Sequence, residues 1–216
     1  TGVGAKVMAT SETGDSTKQT DTETTKLTKT QEESLKKIKA AYDVKNQDKI
    51  AEELEEKKSS QEYTLSNMLI EYNPFGTNTQ SLYVYFNTDE PVSVAYTVHA
   101  EDPKIQDFNR TVYQEEAYQK EHEFQVIGLI PDMENKVTFF LTKEDGSTDT
   151  KEIVFEMGSL IGTEDVQLDT DVAGDASQLE DGLYVVLGND STALDFMYYY
   201  DNNGTLRGEV PLLGYR

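Results

Sequence analysis

Ser81-Leu82-Tyr83-Val84-Tyr85-Phe86 and, a little further on, Val92-Ser93-Val94-Ala95-Tyr96-Thr97-Val98-His99 decide the fold class of this chain. In both stretches the large apolar residues recur every second position, the spacing that puts them on one face of a β-strand. Leu82, Val84 and Phe86 form one such row, and Val92, Val94, Tyr96 and Val98 form another. Strand-like runs continue at Phe124–Ile127, Val137–Leu141 and Ile153–Phe155. Turn-forming residues separate them: Asn73-Pro74-Phe75-Gly76, Asp89-Glu90-Pro91, Pro131-Asp132 and Glu144-Asp145-Gly146-Ser147. Many short strands punctuated in this way predict an antiparallel β-sandwich of immunoglobulin or fibronectin type over residues 61–160.

Before the sandwich the period changes. Residues 1–30 hold twelve Ser or Thr and few large apolar residues, so they read as a flexible tether. Over 31–60, Leu35, Ile38 and Tyr42 repeat at helical spacing. Thr30-Gln31-Glu32-Glu33 supplies a capping-box signal, and Asn46-Gln47-Asp48 is expected to interrupt the helix before Ile50 and Leu54. The apolar stripe is narrow and the rest charged, which predicts a short helical stalk.

After the sandwich, residues 161–181 carry seven acids and no base, and read as an acidic linker. Residues 182–216 then form a partial β-meander, Leu183–Leu187, Leu194–Tyr200 and Leu206–Leu212, with a hairpin signal at Asp201-Asn202-Asn203-Gly204. Three strands are too few to bury a core of their own, so they need a neighbour.

The formal charge of −22 is uneven: residues 61–216 hold 8 basic against 29 acidic residues. A surface of that sign repels phosphate backbones, which argues against nucleic acid as a partner. No stretch approaches the ~18 apolar residues of a membrane span. There is no cysteine, hence neither a disulfide framework nor a thiolate metal site.

Several stretches resemble one family. Tyr72-Asn73-Pro74-Phe75-Gly76-Thr77-Asn78, Val94-Ala95-Tyr96-Thr97-Val98 and Gly128-Leu129-Ile130-Pro131 are similar to the N-terminal domain of aryl-sulfate sulfotransferases. Gly182–Gly188, Tyr199–Gly204 and Gly214-Tyr215-Arg216 resemble the start of the propeller in the same enzymes. The resemblance implies an exported enzyme with a sandwich before a six-bladed propeller. It moves a sulfuryl group from an aryl sulfate to a phenol through a propeller histidine. On that reading residues 182–216 are the opening strands of a truncated propeller, and the acceptor histidine belongs to polypeptide outside these residues. The implied location is extracytoplasmic, with anchoring upstream of Thr1. The implied partners are the remainder of the enzyme and, in a homodimer, a second copy. A tail that belongs to an absent domain is expected to add little to the sandwich's stability.

No catalytic, cofactor or metal residue is assigned. The two histidines, His99 and His122, read as ordinary strand or surface residues. Asn135 stands where a fibronectin-type corner carries its tyrosine, which leaves the sandwich subtype open. Asp169 to Glu180 has carboxylates at calcium-loop positions, but Ala173 and Ala176 break the pattern, so an acidic linker is the expected state. Tyr83, Tyr85, Tyr198, Tyr199 and Tyr200 offer an aromatic platform for sugars in an adhesion module, or else pack on half-buried faces; packing is the expected role.

Overall fold

A computed structural model describes residues 27–162, 175–188 and 194–214. Two helices come first, α1 over Lys29–Ala41 and α2 over Val44–Ser60. The capping box sits two residues earlier than the sequence suggests. The Gln31 N–H donates to Thr28 Oγ1 at 3.2 Å, and the Thr28 N–H donates to Gln31 Oε1 at 3.0 Å. The helix break also moves. Asp43 caps α2 by accepting from the Asn46 N–H at 2.9 Å, so Asn46 and Gln47 lie in the first turn of α2 and Asp48 just after it. Their amides turn back on α1 instead of interrupting it. Asn46 Nδ2 donates to the Ala40 carbonyl at 3.0 Å and Gln47 Nε2 to the Ala41 carbonyl at 2.9 Å. These carbonyls end α1 without a helical partner, so the polar run closes one helix and opens the next.

The sandwich is built from β1 (Leu69–Tyr72), β2 (Ser81–Ala100), β3 (Phe108–Thr111), β4 (Gln119–Ile127), β5 (Met133–Lys143) and β6 (Thr148–Met157). The two stretches that decide the fold are a single 20-residue strand, β2, with no turn at Asp89-Glu90-Pro91. Its first half pairs with β1 and β4, its second half with β3 and β5, and β5 pairs with β6, all antiparallel. The β2–β4 register shifts between Asn87 and Val92. A bulge there accommodates Pro91, which has no N–H to give a ladder, and lets one long strand serve both halves of a continuous six-stranded sheet. The two halves close on each other, with Phe124 of β4 meeting Phe139 of β5 at 6.1 Å between ring centroids. Leu82, Val84, Phe86, Val94, Val98, Val126, Val137 and Leu141 fill the space between.

Ser81 to Phe86 are buried on both faces of β2. Leu82, Val84 and Phe86 face the sandwich core, whereas Tyr83 and Tyr85 pack under α2 with Leu54, Tyr63 and Leu69. The narrow apolar stripe of the helices therefore docks them: Leu54 on the sandwich, Ile38 elsewhere. The tail forms a three-stranded antiparallel sheet of β7 (Tyr184–Gly188), β8 (Asp195–Tyr200) and β9 (Leu206–Leu212). Ile38 of α1 packs with Leu194, Phe196, Tyr198 and Tyr200 of that sheet. Ser34 Oγ donates to the Ile161 carbonyl at 2.6 Å, and the Tyr42 hydroxyl donates to the Pro211 carbonyl at 2.8 Å. The neighbours the meander requires are thus α1 and the sandwich.

Candidate functional site

Four of the polar residues most completely withdrawn from water, Thr79, Gln80, Arg207 and Glu209, gather where the tail sheet meets the sandwich. In Leu206-Arg207-Gly208-Glu209-Val210, Arg207 falls at a bulge, where Tyr199 pairs with Gly208 and Tyr200 with Leu206, and Glu209 pairs with Tyr198. Arg207 is only 1% exposed and Glu209 0%. Burying a charge costs several kcal/mol unless it is paired and fully hydrogen-bonded, so both residues need built partners.

Arg207 has them. Its Nε donates to Asp201 Oδ2 at 2.8 Å, one terminal nitrogen to the Gly128 carbonyl at 3.1 Å, and the other to the Gln106 carbonyl at 2.6 Å. The guanidinium lies 4.8 Å from the centre of the Phe108 ring, whose other neighbour is Arg110 at 4.2 Å. Burial pulls the Arg207 pKa below its ordinary value, and the Asp201 carboxylate opposes that. Gly128 has a φ of +92°, and a Cβ there would collide with the Phe108 ring, so only glycine brings this carbonyl to the guanidinium. Asp201 also holds the hairpin, accepting from the N–H groups of Asn203 at 2.9 Å and Thr205 at 3.0 Å.

Glu209 sits beside the start of the linker. Its Oε1 accepts from the Thr79 hydroxyl at 2.8 Å and the Ile161 N–H at 3.0 Å, and its Oε2 accepts from the Gly162 N–H at 3.1 Å. Burial raises its pKa, and those three donors hold it down. Gln80 completes the joint, its Nε2 donating to the Leu129 carbonyl at 2.8 Å and the Leu206 carbonyl at 3.0 Å. The turn at Asn73–Asn78 braces it from the helix side. Gln47 Nε2 donates to the Phe75 carbonyl at 2.9 Å, and a Cβ at Gly76 would lie 3.2 Å from the Ala41 Cβ. Chemically this is a fastener: charged groups bind backbone across a junction.

The residues singled out from sequence fall elsewhere. His99 is on β2 at the surface, its Nδ1 2.6 Å from Asp107 Oδ1, with both side chains about half exposed. His122 belongs to the core and not the surface. It stacks on Phe86 at 4.8 Å, its Nε2 lies 3.2 Å from Thr88 Oγ1, and its buried Nδ1 has no protein partner. Burial lowers its pKa to about 4. Tyr83 and Tyr85 are covered by α2 and donate their hydroxyls to Glu123 at 2.8 Å and Glu121 at 3.0 Å. Burial and the Glu123 hydrogen bond push the Tyr83 pKa up. Tyr198 and Tyr200 are in the tail core, while Tyr199 packs where a Cβ on Gly208 would stand. Asn135 is fully buried and does the work of a corner residue: its Oδ1 accepts from the Ile130 N–H at 2.7 Å and its Nδ2 donates to the Ile130 carbonyl at 2.8 Å. Of the acidic stretch, Asp169–Gly174 lie outside the described residues; Asp175 accepts from Ser177 in a local turn. Among the described residues no group of three or more His, Asp or Glu is placed to hold a metal.

A separate cleft of about 750 Å³ opens beside the β2 bulge, with Leu65, Val92 and Leu141 among its lining and Thr88, Lys143 and Lys151 around it. Lys143 is already engaged by Glu90 at 2.6 Å.

The joint residues were missed by sequence reasoning. Charges at alternate strand positions ordinarily mark a solvated face, and only the glycines flanking or facing them (Gly128, Gly208) hint at close approach.

No helix among the described residues is long and apolar enough to cross a membrane. Residues 69–158 match the family model of the arylsulfotransferase Ig-like domain. No curated protein matches the chain.

Proposed function

From an arylsulfotransferase Ig-like domain at residues 69–158, we propose that this chain is the non-catalytic N-terminal region of an exported enzyme of that type. In this reading the enzyme transfers a sulfuryl group from an aryl sulfate to a phenol. The transfer passes through a histidine of a following β-propeller, and the three-stranded tail sheet is where that propeller begins. The covalent relay splits one difficult displacement into two easier ones, and it requires a nucleophile this region does not contribute. Its two histidines are otherwise occupied, one in a hydrogen bond with Asp107 at the surface and one stacked in the core.

The observation that carries the reading is the fastener between Arg207, Glu209 and the sandwich. Two buried charges that fix the orientation of a small sheet favour a sandwich that supports a further domain. As a base for a larger domain it needs that sheet at one angle. The extracytoplasmic location belongs to the same proposal, and the family match supports it.

The adhesion reading depends on Tyr83 and Tyr85 as an open platform. Both lie under α2, so the platform is not available.

The test is to join this region to its downstream coding sequence and assay transfer from p-nitrophenyl sulfate to a phenol. Transfer should appear only in the extended protein, and Arg207→Ala there should lower its thermal stability. Turnover by the 216 residues alone would overturn the assignment of roles.

A further inference from the structure

The inward rows of β5 and β6 change character at the same end. Val137, Phe139 and Leu141 of β5 face the core, and Lys143 continues their row. Directly across on β6, Ile153 pairs with Val137, Lys151 with Phe139 and Asp149 with Leu141. Side chains directly opposite in an antiparallel pair share a face. Ile153 packs on the core, as does Phe155 beyond it. Lys151 and Asp149 instead join Lys143 in lining the cleft of about 750 Å³, whose apolar wall is Leu65, Val92 and Leu141. An inward charge on an edge strand can serve simply to keep a foreign strand from pairing. That role needs no cavity, and this cleft has the volume and the mixed lining of a small-molecule site. None of its residues belongs to the tail sheet or to the joint made by Arg207 and Glu209.

We propose that this cleft binds a small amphipathic anion, an aryl or alkyl body carrying one acid group. The body lies on Leu65, Val92 and Leu141, and the acid group meets the Lys151 ammonium. The division of charge selects the sign. Lys143 is held by Glu90 at 2.6 Å, and Asp149 and Asp145 add to the negative charge around it. Lys151 makes no ion pair among the described residues, so its ammonium is the cation of the cleft left to a ligand. The three acids of the lining, Asp89, Glu90 and Asp149, are exposed to solvent, whereas Lys143 and Lys151 are partly buried. A partly desolvated ammonium gains more from an opposite charge than a carboxylate in water does. At physiological salt the chain's remaining negative charge is screened beyond about 8 Å, so the adjacent ammonium outweighs it.

The probes are phenylbutyrate, phenylbutanol and phenylbutylamine, which share one body and differ in the charge of the head. Each is titrated into the full chain at physiological salt and followed by the amide shifts in NMR spectra. Phenylbutyrate should shift Val92, Leu141 and Lys151 saturably, with an affinity at least about tenfold above that of the alcohol or the amine. Lys151→Met keeps the apolar stem and removes the charge. It should bring phenylbutyrate down to the level of phenylbutanol while the rest of the spectrum stays in place, and Lys151→Arg should retain the preference. Leu65→Ser, in the apolar wall, should weaken phenylbutyrate as well. No saturable shift with phenylbutyrate, binding of the amine as tight or tighter, shifts confined to another part of the chain, or an unchanged phenylbutyrate affinity in Lys151→Met would each overturn the proposal.

Discussion

Arg207 removed to alanine leaves the Asp201 carboxylate buried beside two unanswered backbone carbonyls. Breaking a buried ion pair on one side typically costs about 3–5 kcal/mol, far more than deleting a surface pair such as Lys49–Glu53, worth about 0–1 kcal/mol. Urea unfolding of Arg207→Ala and Lys49→Ala should separate the two by that margin. Glu209→Gln is a sharper probe. The Ile161 and Gly162 N–H groups point at different carboxylate oxygens, and a carboxamide has only one oxygen to offer. One donor is left facing an NH₂, so a loss of about 1–3 kcal/mol is expected despite the conservative size. His122 sets an acid limit. An unfolded imidazole titrates near 6.5, whereas burial lowers the folded one to about 4. The folded state therefore binds fewer protons over that interval. The stability tied to neutral His122 is whole above about pH 6.5, erodes as pH falls towards 4, and is lost below it. A shift of that size corresponds to roughly 3 kcal/mol. His122→Phe, which keeps a ring against Phe86, should flatten the stability profile between pH 6.5 and 4.

At the scale of elements, the helices owe their order to docking more than to propensity. α1 and α2 are charged over most of their surface, and short helices of that kind are marginal alone. Leu54→Ala, which empties the contact with Tyr83 and Tyr85, should cost about 2–5 kcal/mol. Thr28→Ala, which removes only the cap, should cost about 1 kcal/mol. Circular dichroism during denaturation would rank them. Much of the β-structure could be read directly: Leu82, Val84, Phe86 and Val92 to Val98 alternate as strands and are strands. The turn at Asp89–Pro91 could not, because proline marks both a turn and a bulge, and only pairing with β4 and β5 on either side distinguishes them. Asn46–Asp48 misled for a related reason. Polar amides break a helix in sequence logic, yet here they satisfy the end of the helix before.

For the whole molecule, cutting after Leu160 is the informative deletion. If the tail were an inert remnant, the sandwich would melt as before. With Arg207 gone from the Gly128 and Gln106 carbonyls, and Ile38 stripped of its partners on β8, the midpoint should instead fall by roughly 10 °C, at about 2–4 °C per kcal/mol for a chain of this size. Differential scanning calorimetry of the two lengths decides it.

The family signature was legible in the residues themselves: Asn73–Gly76 and Gly128–Pro131 lie in the region that matches the arylsulfotransferase Ig-like domain. Period-two alternation reports which side of a strand meets apolar matter, and that information is local, so fold class followed from the chain alone. The candidate site did not. Arg207 and Glu209 have the pattern of a wet face, and Tyr83 and Tyr85 the pattern of an open one. Burial is not a property of a strand but of what another part of the chain lays over it. Here α2 covers the tyrosines and the sandwich covers the charges. Those long-range placements, set by the joint free energy of many contacts, were decided only in the tertiary structure.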